Sequence, residues 1–318
     1  MLKNMTIRRI STASILLLIC LLFVLFPKDK DVINIKGEII EYTSNNKTLG
    51  IYMVNKDNYV AKTNVIINEN DIEKEIREIL EYLIIDGKKE DNVPNGFRSI
   101  IPSGTEIKSI KLKDGLLKIN FSKEILEIDE NLEEKMLESI VYSLTEIDGI
   151  DNILIYVEDD LLTVLPKSKI NLPSVLNRNI GINKKYDINS TKNITKTTIY
   201  YVGKNNNDYY YVPVTKVSND NKDKIKVIID ELSSGPIYEN NLMSFMNYNA
   251  ELEKYEVKNN NMYLTFNDYI LDNIEDKSIL EEVIYTISLS IKDNYDVDEV
   301  IFMIGDEEIT KSVLKTLE

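Results

Sequence analysis

Residues 137–144 read Leu-Glu-Ser-Ile-Val-Tyr-Ser-Leu, and residues 280–287 read Leu-Glu-Glu-Val-Ile-Tyr-Thr-Ile, so the sequence of one amphipathic helix occurs twice. This match pairs Glu138 with Glu281 and Tyr142 with Tyr285. Other segments repeat in the same order at offsets of 143 to 149 residues, namely 51–54 with 199–202, 76–83 with 225–232, 121 with 266 and 153–157 with 300–304. A repeat this long exceeds any solenoid unit, so the sequence predicts a duplicated domain.

The composition is that of a folded protein, and it excludes catalysis or metal binding that depends on histidine or on several cysteines. The 318 residues are 43% hydrophobic, with 11 Gly and 7 Pro. The chain has no His, which is the most frequent general base and zinc ligand. Its only cysteine, Cys20, lies in an apolar run, so no disulfide or thiol chemistry is expected. We therefore predict no catalytic residue, no cofactor and no metal site.

The chain is strongly acidic, with a formal net charge of −15. Such a surface repels phosphate backbones and anionic lipid headgroups, so nucleic-acid binding is not expected. Acidic groups can bind calcium in principle, but we interpret them as a solvated acidic surface.

The N-terminus has the pattern of a membrane segment. Lys3, Arg8 and Arg9 precede an uncharged run at residues 10–26, and Pro27 ends it. A helix of this length spans about 26 Å, slightly less than a hydrocarbon core of about 30 Å. The run is not followed by the small residues of a cleavage site, and Ile19 before Cys20 does not fit a lipoprotein signal. We predict an uncleaved signal anchor at 1–27 with residues 28–318 outside the cytoplasm, while cleavage or lipidation stays open.

The first repeat, expected at residues 48–165 after a tether at 28–47, alternates strand and helix patterns. Apolar residues at helical spacing predict a helix over 72–85, with Asn70 as its cap. Asp114-Gly115 predicts a tight hairpin, and a second helix is expected at 131–147. Strands are expected at 48–54, 106–113, 116–121 and 152–158. The order β-α-β-β-α-β predicts an α+β two-layer sandwich.

The second repeat, expected at residues 197–318 after a polar linker at 166–196, follows the same order. Helices are predicted at 220–233 and 277–291, and residues 305–318 form a tail for which a short helix is one option. Strands are predicted at 197–202, 209–214, 250–258, 262–266 and 299–304. The fold prediction is thus two tandem sandwiches behind a transmembrane anchor.

Several short motifs resemble the GerMN domain of sporulation and spore germination proteins. Ile101-Pro102-Ser103-Gly104-Thr105 is similar to the family's I-P-x-G-T motif. The helix 139–146 resembles its I-V-Y-T-L-T-E motif, and residues 232–236, Leu-Ser-Ser-Gly-Pro, resemble its L-L-x-G-P motif. The first repeat lacks the Gly-Pro motif and the second lacks the Pro-x-Gly-Thr motif. Two copies behind a membrane signal resemble the GerM-like arrangement.

This resemblance implies a non-enzymatic role. It implies an assembly or scaffold protein of the sporulation envelope, located between the mother-cell and forespore membranes. The implied partners are envelope proteins of the channel apparatus, with peptidoglycan as a further candidate and the membrane contacted through residues 10–26. A peptidoglycan-processing enzyme or its regulator, and an extracytoplasmic ligand-binding protein, stay open as alternatives.

A few residues allow a functional interpretation beside a structural one. Gly104 and Gly235 could cradle a ligand, or they could be turn glycines. Glu138 with Glu281 could suggest a carboxylate pair, although duplication alone explains the match. Residues 209–211, Tyr-Tyr-Tyr, could stack on glycans, whereas a half-buried strand explains them as well. Equivalent environments are expected for Tyr142 and Tyr285.

Overall fold

A computed structural model describes residues 47–206, 208–219, 221–234 and 241–313. The predicted anchor, the tether up to residue 46 and Gly235 lie outside these residues. No helix within the described ranges is both long and apolar enough to cross a membrane.

The first repeat contains two helices, and its strands run in both directions. Its helices are α1 (Ile72–Leu83) and α2 (Glu133–Leu144). Its strands are β1 (Lys47–Asn55), β2 (Val60–Ile67), β3 (Phe97–Arg98), β4 (Ile107–Lys113), β5 (Leu116–Phe121), β6 (Asn152–Val157) and β7 (Asp160–Leu161). The cap of α1 is Asp71, whose side chain accepts a hydrogen bond from the Lys74 amide at 3.2 Å. The predicted cap, Asn70, is therefore wrong by one residue.

The second repeat begins after the short strand β8 (Lys185–Asp187) and also has two helices. Its helices are α3 (Lys224–Ser233) and α4 (Glu281–Asn294). Its strands are β9 (Thr195–Asn205), β10 (Asp208–Ser218), β11 (Leu252–Lys258), β12 (Asn261–Phe266), β13 (Glu299–Ile304) and β14 (Glu307–Val313). Residues 307–313 of the tail form strand β14, which pairs with β13. The short helix that the sequence allowed for the tail is therefore wrong over these residues.

Equivalent tight turns join the hairpins β4–β5 and β11–β12. Asp114 and Gly115 have φ values of 49° and 73°, and Asn259 and Asn260 have φ values of 49° and 64°. Positive φ at both central residues is typical of the two-residue turn that matches strand twist. The Asp114-Gly115 hairpin prediction is confirmed.

Each repeat has its own four-stranded sheet, and the two sheets have the same topology. Their strand orders are β4-β5-β6-β7 and β11-β12-β13-β14. In both sheets the central pair is parallel, whereas the outer pairs are antiparallel. The duplication inferred from the sequence is thus present in the strand connections.

A third sheet joins the two repeats. The hairpins β1–β2 and β9–β10 meet where Lys62 on β2 pairs with Tyr211 on β10, so six strands form one sheet. The predicted order β-α-β-β-α-β omitted β2, and it treated the repeats as separate sandwiches. Sequence periodicity gave no sign of this pairing between repeats, because strand partners across a sheet leave no local pattern.

The helices α2 and α4 pack on this shared sheet through the same contact. The amide of Tyr52 on β1 donates to the Ser143 hydroxyl at 2.9 Å, and the amide of Tyr200 on β9 donates to the Ser290 hydroxyl at 2.9 Å. Ile140 on α2 and Ile287 on α4 are both fully buried. Each helix therefore sits in the core of its own repeat in the same way.

The polar segment 166–196 is partly packed against the body of the protein. Its side chains Leu176 and Ile182 are buried. Strand β8 within it pairs in parallel with the outer edge of β10. Residues 176–187, called the covering segment below, thus lie across both repeats.

Candidate functional site: a polar centre between the repeats

A group of buried charged and hydroxyl side chains lies where the two repeats meet. This central cluster is contributed by both hairpins, by residues at the ends of α2 and α4, and by the covering segment. Its members are Tyr52, Lys62, Glu146, Arg178, Tyr200, Lys292 and Asp293.

Equivalent residues of the two repeats meet at the middle of the cluster. The hydroxyl groups of Tyr52 and Tyr200 are 2.7 Å apart. Tyr52 donates to Glu146 at 2.9 Å, and Tyr200 donates to Asp293 at 2.9 Å. The arrangement has approximate two-fold symmetry, because each tyrosine donates to the carboxylate of its own repeat.

Arg178 breaks this two-fold pattern. Its guanidinium binds Glu146 at 2.7 Å and also binds Asp293, so one cation joins the carboxylates of both repeats. It also lies over the ring of Tyr142, with its Cζ atom 4.9 Å from the ring centroid. Because the covering segment occurs once per chain in the described structure, only one guanidinium occupies the centre.

Burial and neighbouring charges shift the pKa values in opposite directions. Burial by itself would raise the pKa of Glu146, but Arg178, Lys62 and Lys292 hold it well below its usual range. Burial lowers the pKa of Lys62, and Glu146 partly offsets that effect. Burial raises the pKa values of Tyr52 and Tyr200 well above their usual range, so both stay protonated hydrogen-bond donors.

The charged groups of the central cluster bind one another. The carboxylate of Glu146 is 3.2 Å from the Lys62 ammonium and accepts from Lys292 at 3.1 Å. Tyr52 and Tyr200 each donate to a carboxylate of the cluster. The arrangement is suited to holding two repeats together, since a buried charge is tolerated only with such partners.

The covering segment makes a second polar contact beside this cluster. The Asn183 side chain accepts from the Val60 amide at 2.9 Å and donates to the Val60 and Pro213 carbonyls at 2.7 and 2.8 Å. Since Pro213 has no amide hydrogen, β2 and β10 cannot continue their ladder there. Asn183 supplies the missing link between the two hairpins.

Glu138 is bound by the same segment, so its role is structural. Its carboxylate accepts from the Asn183 amide at 3.0 Å and from Lys184 at 2.9 Å, and burial raises its pKa. Glu281 is exposed, so Glu138 and Glu281 form no carboxylate pair.

The predicted equivalence of Tyr142 and Tyr285 is wrong. Tyr142 is fully buried, whereas Tyr285 is 42% exposed. The serine contacts to β1 and β9 align Ser143 with Ser290, which places Tyr285 at the position of Glu138. The sequence match was displaced by four residues, because an apolar helix stripe nearly repeats after one turn of 3.6 residues.

Among the other candidates that lie within the described residues, Gly104 is in a turn and residues 209–211 are in a strand. Gly104 has a φ of 78° in the turn after Pro102, which favours glycine. Residues 209–211 lie on β10, where Tyr210 is buried and Tyr209 is 44% exposed and packs on Phe245.

The described residues offer grooves but no cluster of metal ligands. Over these ranges, no three His, Cys, Asp or Glu side chains come together in a group that could hold an ion. A groove of about 560 Å³ lies between α2 and residues 165–196 and includes Leu137, Glu138 and Ile180 in its lining. A second groove of about 480 Å³ lies between the covering segment and the second repeat.

Sequence reasoning missed Arg178 because it treated 166–196 as a linker. One signal was available: Arg178 is the only arginine after residue 98 in a chain rich in lysine. A planar guanidinium can bind two carboxylates at once, which lysine does poorly. Tyr52 and Tyr200 lie within segments that the sequence identified as repeats. Their contact could not be predicted, because it depends on the pairing of β2 with β10.

Comparisons with known proteins agree with this architecture. A family model described as Germane, sporulation and spore germination, matches residues 48–163 and 198–310, which is more than half of the chain. The chain is 29% identical over 255 residues to spore germination protein GerM of Bacillus subtilis (strain 168), covering 79% of this chain and 69% of that protein.

A solved structure of the tandem GerMN domains of the sporulation protein GerM from Bacillus subtilis matches with a TM-score of 0.75 and 28% identity. The match covers 82% of this chain and 92% of that structure. The predicted α+β class and the tandem GerMN arrangement are therefore confirmed, and the chain belongs to the Germane family of sporulation and spore germination proteins.

Proposed function

We propose that this protein is a non-catalytic, membrane-anchored assembly protein of the sporulation envelope, acting between the mother-cell and forespore membranes. The observation that carries the proposal is the central cluster. Its ionisable groups join one repeat to the other, and the two repeats thereby present their outer surfaces as one body. Family membership supports the sporulation context.

The outer sheet edges offer surfaces for partners. Strand β11 is the first strand of its sheet, and Val257 on it is 51% exposed. An edge strand has unpaired amide and carbonyl groups, to which an extended segment of another protein can add. The proposed partners are envelope proteins, recognised by strand addition.

The proposal is tested by photo-crosslinking in sporulating cells. A photoreactive amino acid at Val257 is expected to capture an envelope protein, whereas the same amino acid at Tyr269 is the control. Tyr269 is similarly exposed at 56% but lies in the turn after β12 instead of in a strand. Identical products from both positions, or none from either, would contradict strand addition at β11.

The enzyme alternative is tested separately with purified residues 28–318 and peptidoglycan. We expect no muropeptide release, with or without divalent metal. Release that is lost on changing a single acidic residue would make the enzyme interpretation primary.

The 560 Å³ groove keeps a ligand-binding function as a second candidate. Screening small molecules for an increase in the unfolding temperature would test it, with Leu137→Ala as the groove variant.

A further inference from the structure

The groove between α2 and residues 165–196 has a floor that the strand register defines. Val217 on β10 pairs with Tyr186 on β8 on one side and with Lys196 on β9 on the other. Directly paired residues of neighbouring strands point their side chains to the same face of a sheet, so these three form one row across it. Val217 is buried, whereas Tyr186 and Lys196 are exposed and both line the groove. An aromatic ring and an ammonium group thus lie on the two sides of the floor.

The spacing of these two groups allows one small molecule to contact both. Neighbouring strands lie about 4.8 Å apart, so the Cα atoms of Tyr186 and Lys196 are separated by about twice that distance, roughly 10 Å. The groove volume of about 560 Å³ falls within the range of about 300–1,000 Å³ that small-molecule sites occupy. The groove is therefore large enough for a ligand of this length.

Much of the wall of the groove is apolar. Its lining includes Leu137, Ile170, Leu172 and Val175. Ile170 and Val175 are 38% and 37% exposed. Scattered exposed aliphatic side chains are ordinary, but these are grouped with the Tyr186 ring in one concave surface. A ligand that covers them removes apolar surface from water, so an apolar ligand body is favoured.

The two lysines of the groove differ in their partners. The Lys184 ammonium lies 3.1 Å from the Glu134 carboxylate and 2.9 Å from the Glu138 carboxylate. Lys196 donates to the Asn179 carbonyl at 3.0 Å, and no carboxylate in the described parts of the chain pairs with it. Burial and the nearby Lys184 lower the pKa of Lys196, and an anionic group beside it would stabilise its charged form. An ionised ligand group is therefore favoured at Lys196.

The charges of the groove favour an anion with a single charge. Lys196 is one cation, and Glu134 and Glu138 line the same groove, so a doubly charged phosphate would be repelled more than it is attracted. Arginine, which binds phosphate in a bidentate way, is absent from the described lining. A carboxylate pairs with Lys196 without adding a second negative charge.

We propose that this groove binds a small carboxylic acid with an apolar body, whose carboxylate pairs with Lys196 and whose apolar part packs on Tyr186 and the aliphatic wall. This ligand class rests on the ligand-binding function named above as the second candidate, and it is independent of strand addition at β11. A fatty acid and the carboxyl end of a peptide both have this chemistry.

Isothermal titration calorimetry on the purified full-length protein tests the proposal with two probes that differ in one group. Phenylbutyrate has the carboxylate and an apolar body, and phenylbutyramide has the same body without the charge. The wild type should bind the carboxylate about fivefold more tightly than the amide, which is the upper range for a solvent-exposed ion pair.

Three variants assign this preference to the groove. Lys196→Met should abolish it and leave the affinity for the amide unchanged. Lys204→Met is the matched control and should keep the preference, because Lys204 is an exposed lysine on the same strand and lies outside the groove lining. Tyr186→Ala should weaken the binding of both probes by a similar factor. All three side chains are exposed, and circular dichroism checks that each variant is folded.

The possible results separate the ligand class from the groove itself. Equal affinities of the wild type for the two probes, or a preference that persists in Lys196→Met, would overturn the carboxylate proposal while the groove still binds apolar molecules. Binding of neither probe would overturn the ligand class and the ligand-binding candidate together, whereas crosslinking at Val257 would be unaffected. Competition against phenylbutyrate by octanoate and by N-acetyl-phenylalanine distinguishes a fatty acid from a peptide end, and displacement by either supports the proposal.

Discussion

Helices α2 and α4 have the same inner faces and different outer faces. Ile140 and Ile287 are fully buried, and Ser143 and Ser290 cap equivalent strand amides. On the outer face, buried Glu138 corresponds to Tyr285, which is 42% exposed. The comparison shows that duplication preserved the core contacts, while residues outside the repeat core made the two surfaces unequal.

The largest expected effect tests the shared inner face. Ile140→Asp and Ile287→Asp each place an unpaired charge in a core, which costs about 4 kcal/mol or more of unfolding free energy. Urea unfolding followed by circular dichroism measures this loss. Because both positions are fully buried, the two losses should be similar. A cooperatively folded Ile287→Asp variant with unchanged stability would contradict the claim that the two helices are buried in equivalent cores.

A smaller effect tests the unequal outer faces. Glu138→Gln leaves Lys184 and the Asn183 amide with a weaker partner, so a loss of about 1–3 kcal/mol is expected. Glu281→Gln changes an exposed side chain, and its effect should stay within about 0.5 kcal/mol. The same unfolding measurement compares them. Equal losses would show that the covering segment does not distinguish the repeats.

A third expected effect, confined to acidic pH, is a pH dependence at the central cluster. The folded-state pKa of Glu146 lies below its unfolded value of about 4.3, so its ion pairs stabilise the fold above that pH. This contribution is lost as the pH falls below about 4.3 toward the folded pKa. The stability difference between the wild type and Glu146→Gln should therefore shrink between neutral and acidic pH. A difference that grows on acidification would contradict the assigned pKa direction.

The sequence predicted the parts of the fold that depend on local patterns. Helix periodicity placed the four helices, and Asp114-Gly115 identified a tight turn. Strand β2 and the shared sheet were missed, because the pairing of Lys62 with Tyr211 joins distant parts of the chain. The central cluster was missed for the same reason: its seven residues come from five separate segments. The helix alignment was displaced by a turn because hydrophobic periodicity does not fix register by itself.

The central claim is that the cluster around Arg178 makes the two repeats one cooperative body. Differential scanning calorimetry of the purified protein tests it most directly. One transition is predicted, with equal calorimetric and van't Hoff enthalpies. Arg178→Met, which removes the cation shared by Glu146 and Asp293, should lower the midpoint of that whole transition, since breaking a buried pair costs about 3–5 kcal/mol. Two separate transitions in the wild type, with only one of them shifted by Arg178→Met, would contradict the account.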